Sequence, residues 1–173
     1  MRDSSNAQKA AYWGILSALA LALSWAESFL APLLHLPMGV KPGLSNIAVM
    51  MACAALGLPA GLAVAAAKAV FAGLTRGLTA MLLSGAGGIV SALLVGFLLK
   101  GAKRGAASQA LSEIGIGMLG GTAHNLTQLA VATLLMGTPG VFWAAPWLIA
   151  CGALAGAATG TAVKYLRKTK FFQ

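Results

Sequence analysis

The sequence predicts an all-α membrane protein: one domain, residues 1–173, built as a bundle of six transmembrane helices. Three observations predict it. Of 173 residues, 59% are hydrophobic and only 9% are charged, against about 25% charged in an ordinary soluble domain. Apolar runs near membrane-spanning length recur along the chain. The charge is lopsided, with 12 Lys and Arg against 3 Asp and Glu, formally +9. A single soluble core cannot bury so much apolar surface, so the solvent is lipid and the elements are helices.

The spans fall at roughly 10–31, 42–57, 59–75, 78–99, 111–136 and 140–163. The first follows Arg2 and Lys9. Its apolar run is longer than the ~7–15 residues of a signal-peptide core, so it reads as a retained helix. The second and third are short and separated by Gly57-Leu58-Pro59, a turn signal. They read as two helices or as one long run with a break, and two is the preferred count.

Orientation follows from the basic residues. Arg2 and Lys9 precede the first span. Lys100, Lys103 and Arg104 lie between the fourth and fifth, and Lys164, Arg167, Lys168 and Lys170 follow the sixth. With an even number of helices all of these lie on one side, which predicts both termini in the cytoplasm. The positive charge then sets topology and meets lipid headgroups; it does not indicate nucleic acid.

Small residues mark packing faces. Ala10, Gly14, Ala18, Ala22 and Ala26 recur every four residues on the first helix, and Gly152, Gly156 and Gly160 on the sixth. Such stripes let helices approach closely in lipid. The sixth-helix stripe is read as packing within the chain. The first-helix stripe serves either the chain's own bundle or a partner subunit.

Ionisable side chains inside a membrane mark functional sites. Glu27 lies late in the first helix, Asn46 about one turn into the second and Lys68 near the middle of the third. His124, Asn125 and Gln128 form one patch in the fifth. At a rise of about 1.5 Å per residue, these groups fall in the outer half of the membrane, with Lys41 and Arg76 at the outer helix ends. The pattern predicts a cavity open to the outside that binds a small molecule. With Lys41, Lys68 and Arg76 set against Glu27, an anionic ligand is favoured. Glu27 is expected to pair with Lys68 or with a ligand donor. The bland alternative is an ion pair and interhelical hydrogen bonds without a ligand. Residues 36–43, rich in proline and glycine, form a lid over the cavity or a plain connector.

Several classes are disfavoured. Cys53 and Cys151 sit in apolar runs and suggest no disulfide. His35 and His124 lack a third metal ligand at suitable spacing, so no metal or cofactor is expected. The single aspartate, Asp3, cannot supply aspartate-rich magnesium motifs. Ser84 with His124 does not make an intramembrane protease, because Leu82 stands where G-x-S-G needs glycine. The chain is read as a non-enzyme.

Gly39-Val40-Lys41-Pro42-Gly43-Leu44-Ser45-Asn46-Ile47 resembles the GVKLGLANI signature of the Gx transporter family, often labelled heptaprenyl diphosphate synthase component I. Residues 120–129, which include His124, Asn125 and Gln128, resemble its GA-x-x-HN-x-x-Q run, and Ser84–Ser91 resembles its SLAGALLS stretch. Pro42, Ser45, Lys68 and Thr127 depart from the pattern. The family is similar to the substrate-capture subunits, or S components, of energy-coupling factor transporters. That resemblance implies a six-helix protein of a bacterial cytoplasmic (inner) membrane that binds a small molecule from outside and then works with a transmembrane coupling subunit and cytoplasmic ATPases; the expected small molecule is anionic or an isoprenoid. The Ala10–Ala26 stripe would meet the coupling subunit. The alternative is a non-catalytic membrane subunit of an isoprenoid, quinone or flavin-linked electron-transfer system.

Overall fold

The computed structural model describes residues 2–33, 43–103 and 111–166. These form helices α1 (Arg2–Leu33), α2 (Asn46–Leu56), α3 (Leu58–Arg76), α4 (Leu78–Lys103), α5 (Glu113–Met136) and α6 (Ala145–Leu166), with a 3-10 turn at Pro139–Ala144 before α6. Four segments are long and apolar enough to cross a membrane: Ala7–Leu30, Leu58–Arg76, Leu78–Gly101 and Pro139–Tyr165. The chain is a helical membrane protein.

α2 corrects the expected second span. It has 11 residues, about 16 Å of helix, where a hydrocarbon core is about 30 Å thick. It starts at Asn46, after a turn in which Asn46 N donates to Gly43 O (3.0 Å). Asn46 is therefore the first residue of its helix and not a turn inside it. α5 is long enough to span, but its middle carries the polar patch.

Sharp turns set the topology. One glycine joins α2 to α3 and one joins α3 to α4. Gly57 and Gly77 have φ of +93° and +88°, a region that L side chains rarely adopt. Pro59 follows in the first turn of α3, where a missing N–H does no harm. α5 opens on Ser112, whose hydroxyl accepts from Gly115 N (3.2 Å), a side-chain N-cap.

Consecutive helices are antiparallel, and close contacts give the register. Gly61 of α3 faces Cys53 of α2, Gly85 and Gly88 of α4 face Ala69 and Ala65 of α3, and Gly120 of α5 faces Ser91 and Val95 of α4. Between α5 and α6 the backbones touch. A Cβ on Gly117 would overlap Gly156 O, one on Gly121 would overlap Gly152 O, and one on Gly160 would overlap Glu113 O. The α6 glycine stripe therefore packs within the chain, against a matching pair of glycines on α5. Where lipid gives helices no hydrophobic reason to associate, such close approach supplies dispersion contact instead.

The α1 stripe behaves differently. Leu16, Ala20, Ser24 and Glu27 are buried against the bundle. Ala10, Gly14, Ala18, Ala22 and Ala26 are all exposed, and no atom lies within 4 Å of a Cβ built on Gly14. Trp13, Trp25 and Phe29 are exposed beside them.

Two apolar clusters build the interior. One joins residues such as Ala48, Val64, Ala92, Ile116 and Val163; the other joins Leu83, Leu129, Ala132 and Leu148. Along α5 the order is Ile116, then His124, Asn125 and Gln128, then Leu129 and Ala132. A polar layer is thus held between two apolar ones.

Candidate functional site

The polar layer gathers side chains from α1, α2, α3 and α5 at the end of the bundle where α1 finishes and α2 begins. Glu27, Asn46, Lys68, His124, Asn125 and Gln128 are all buried, each no more than 4% exposed. The structure places these six, singled out in the sequence, in one layer. Lys41 lies outside the described residues, as do His35 and residues 36–42 of the expected lid.

Glu27 and Lys68 meet through a third residue. The Glu27 carboxylate accepts from Ser45 N (3.0 Å) and from Ser45 Oγ (2.9 Å). Lys68 Nζ donates to Ser45 Oγ (3.1 Å) and to Asn46 Oδ1 (3.0 Å). The expected ion pair is therefore a relay, with the Ser45 hydroxyl accepting from the ammonium and donating to the carboxylate. Ser45 is the N-cap of α2, yet its side chain caps nothing in its own helix. The Glu27 carboxylate takes that place from α1, bonding a backbone N–H at the positive end of the α2 dipole. Two buried charges are tolerable in lipid only when paired and hydrogen-bonded.

Lys68 is rooted in the middle of α3 and stretches along it to reach the α2 terminus. Four methylenes cover that distance while the head finds polar partners. The opening beside it is provided by α4: Gly88 faces Ala65 and lies 3.9 Å, measured from a built Cβ, from Lys68 Cε.

On the α5 side, Gln128 Nε2 lies 3.0 Å from His124 Nε2, as expected for residues one turn apart. The His124 ring rests on Gly87 of α4, where a Cβ would come within 2.8 Å of Nδ1. Asn125 Nδ2 donates to Leu148 O of α6 (2.9 Å). The site thus involves α4 and α6 as well as the four helices expected.

Gly43 joins the two halves. Its φ is +89°, and a Cβ there would lie 3.3 Å from Asn125 Oδ1 and 3.5 Å from Asn46 Nδ2. These two amide atoms are buried, and neither has a hydrogen-bond partner among the described residues. Their orientation is fixed from the other side of each amide: Asn46 Oδ1 is held by Lys68, and Asn125 Nδ2 by Leu148 O. A donor and an acceptor therefore face one spot with unused capacity, a costly arrangement in a buried site. The cavity that touches this spot is about 10 Å³, lined by Gly43, Asn46, Ser91, Thr159 and glycines of α5 and α6. That is about the room one water needs.

Arg76 completes the region. Half-buried at the end of α3, it donates to Ser24 Oγ of α1 at 3.4 Å. Sequence reading placed Arg76 at the outer edge but missed Ser24, and it treated Ser45 only as a departure from a motif. The usable signal was spacing: Ser24 stands three residues before Glu27, on the same helical face.

The model of the heptaprenyl diphosphate synthase component I family matches residues 16–166. The chain belongs to that family. The match runs from within α1 to the last residue of α6, so it includes every member of the polar layer. No curated protein and no solved structure matches the chain. What this component I member can do chemically follows from its own residues. The layer offers fixed hydrogen-bonding groups and a neutralised charge pair.

Proposed function

We propose that the protein is a substrate-binding membrane subunit that captures a small molecule at the α1–α2 end of the bundle and works with further subunits. One observation carries this reading. Six buried polar residues and an arginine converge there from four helices, and two of them, Asn46 and Asn125, keep amide atoms without partners among the described residues. Polar groups buried in lipid and left under-satisfied are costly, and a ligand that completes them removes that cost. In the orientation given by the basic residues, this end faces the outside of a bacterial inner membrane, and all six helices belong to the membrane domain.

The likeness to S components of energy-coupling factor transporters rests on the residue motifs around Gly39–Ile47 and Gly120–Leu129. In that reading the exposed Ala10, Gly14, Ala18, Ala22 and Ala26 face of α1 meets a transmembrane coupling subunit, and cytoplasmic ATPases drive release. Substrate contacts fall to Lys41, Asn46, His124, Asn125 and Gln128, with Glu27 and Lys68 behind them.

A second reading has its own observation. The cavity touching the layer is about 10 Å³, water-sized, so the polar groups can serve as interhelical bonds of a non-catalytic membrane subunit. The family's name, component I of a synthase, points to an assembly with another component. Mass spectrometry of the protein purified gently from native membrane separates the two. Capture predicts a copurified small molecule whose amount falls in Asn46→Ala and His124→Ala. An equal amount in both variants removes the site assignment, and a copurified protein subunit with no small molecule favours the second reading.

A further inference from the structure

The chain has three acidic residues, Asp3, Glu27 and Glu113. Asp3 opens α1 and Glu113 opens α5, so the antiparallel bundle puts both at the end away from the polar layer. Glu27 is the carboxylate left for the α1–α2 end, and two described cations, Lys68 and Arg76, lie within its Coulombic reach. Lys68 has claims on it through Ser45. Both Glu27 oxygens are bonded to Ser45, and Arg76 takes neither.

Arg76 is left short. A guanidinium has five N–H donors. The one hydrogen bond described for Arg76 goes to Ser24 Oγ at 3.4 Å, longer than the usual 2.7–3.2 Å of an N–H···O bond. Its Nε is buried and has no partner among the described residues. A planar fork with unfilled donors, half-buried beside lipid and without a counter-charge of its own, is the arrangement that binds carboxylate or phosphate groups.

We propose that Arg76, between α1 and α3, is the anion-binding residue of this protein and receives one carboxylate or phosphate group. The proposal deepens the capture reading and rests on it where that group belongs to the captured molecule; a phospholipid headgroup has the same chemistry. It also divides labour within the site. Lys68 is held by Ser45 and Asn46 and does not meet the anion, while Asn46 and Asn125 read a neutral part of the same molecule.

The test uses the full chain in phosphatidylcholine nanodiscs with inorganic phosphate as probe, followed by phosphorus NMR line broadening. Wild type broadens the line, Arg76→Gln requires at least tenfold more phosphate for the same broadening, Arg76→Lys falls between, and Lys164→Gln, an exposed cation at the other end of the bundle, stays near wild type. A second arm uses nanodiscs containing phosphatidylglycerol and native mass spectrometry: wild type retains one more phosphatidylglycerol than Arg76→Gln. A response in the first arm identifies a free anion, and one in the second arm alone identifies a lipid headgroup. Identical behaviour of wild type and Arg76→Gln in both arms overturns the proposal. Should Arg76→Gln fail to give a monodisperse helical protein, Arg76→Lys carries the test, because it keeps the charge and loses only the fork; behaviour equal to wild type then overturns the proposal. If a small molecule copurifies equally with wild type and Arg76→Gln while both arms are silent, the anion site falls and capture stands. If either arm depends on Arg76 and nothing copurifies, capture falls and the anion site stands.

Discussion

Lys68 leaves the backbone in the middle of α3 and ends 3.0 Å from Asn46 Oδ1, at the first residue of α2. That contact, with the Ser45 bond beside it, fastens two helices together and neutralises a carboxylate that comes from a third. The stability of the α1–α2–α3 corner should therefore depend on all three residues together.

Lys68→Met should destabilise the protein by about 3–5 kcal/mol, because it leaves the Glu27 charge buried without a counter-charge. Glu27→Gln combined with Lys68→Met should cost clearly less than the sum of the two single changes. Reversible unfolding in mixed micelles, analysed as a double-mutant cycle, measures the coupling. Strict additivity would show that Ser45 does not link the two.

Ser45→Ala should cost about 1–3 kcal/mol in the same assay. It removes the hydroxyl that serves Glu27 and Lys68 but leaves the Ser45 backbone N–H on Glu27 Oε1. Ser45→Thr should recover part of the loss. An alanine variant as stable as wild type would mean that Lys68 and Glu27 re-pair directly.

Gly117→Ala and Gly156→Ala should each destabilise by about 2 kcal/mol or more, since the added methyl meets backbone that cannot step aside. Gly14→Ala, on the exposed face of α1, should change the stability of the isolated chain by less than about 0.5 kcal/mol. Thermal unfolding of the three variants in detergent checks the contrast. A costly Gly14→Ala would mean that α1 packs by its small-residue face.

Topology can be read with single cysteines after Cys53 and Cys151 are replaced by alanine. Thr138→Cys, between α5 and α6, should react with a membrane-impermeant thiol reagent added to whole cells, and Lys164→Cys should react only after lysis. The reverse pattern would invert the orientation and place the polar layer on the cytoplasmic side.

The polar layer was legible in the sequence because charged and amide side chains are expensive in lipid and stand out against 59% hydrophobic residues. Their depth followed from helical rise. Glu27, Asn46, Lys68, His124, Asn125 and Gln128 came together as that arithmetic implied. The residue that links them did not stand out. Ser45 is small and neutral, serines occur throughout membrane helices, and its role depends on two side chains reaching one helix terminus in space. The roles of Gly87 and Leu148 were hidden for a similar reason. One only makes room for the His124 ring and the other contributes a backbone oxygen, and neither leaves a chemical mark in the sequence. The length of α2 was misjudged because residues 42–45 are uncharged and extend the apolar run, while the helix itself starts only after the Gly43 turn. On α5 and α6 the glycines were visible, but which pair met which depended on the antiparallel register.

The Glu27–Ser45–Lys68 relay also sets a problem of timing. The chain is made from its N-terminus, so Glu27 reaches the membrane in α1 before Lys68 follows in α3. At about 5–20 residues per second of synthesis, Lys68, 41 positions further on, follows about two to eight seconds later. For that interval the carboxylate lacks the Lys68 ammonium, and water, lipid headgroups or the insertion machinery must answer its charge until α3 arrives. The relay therefore fixes an order of assembly: α1 settles into the bundle only after the third helix has been delivered.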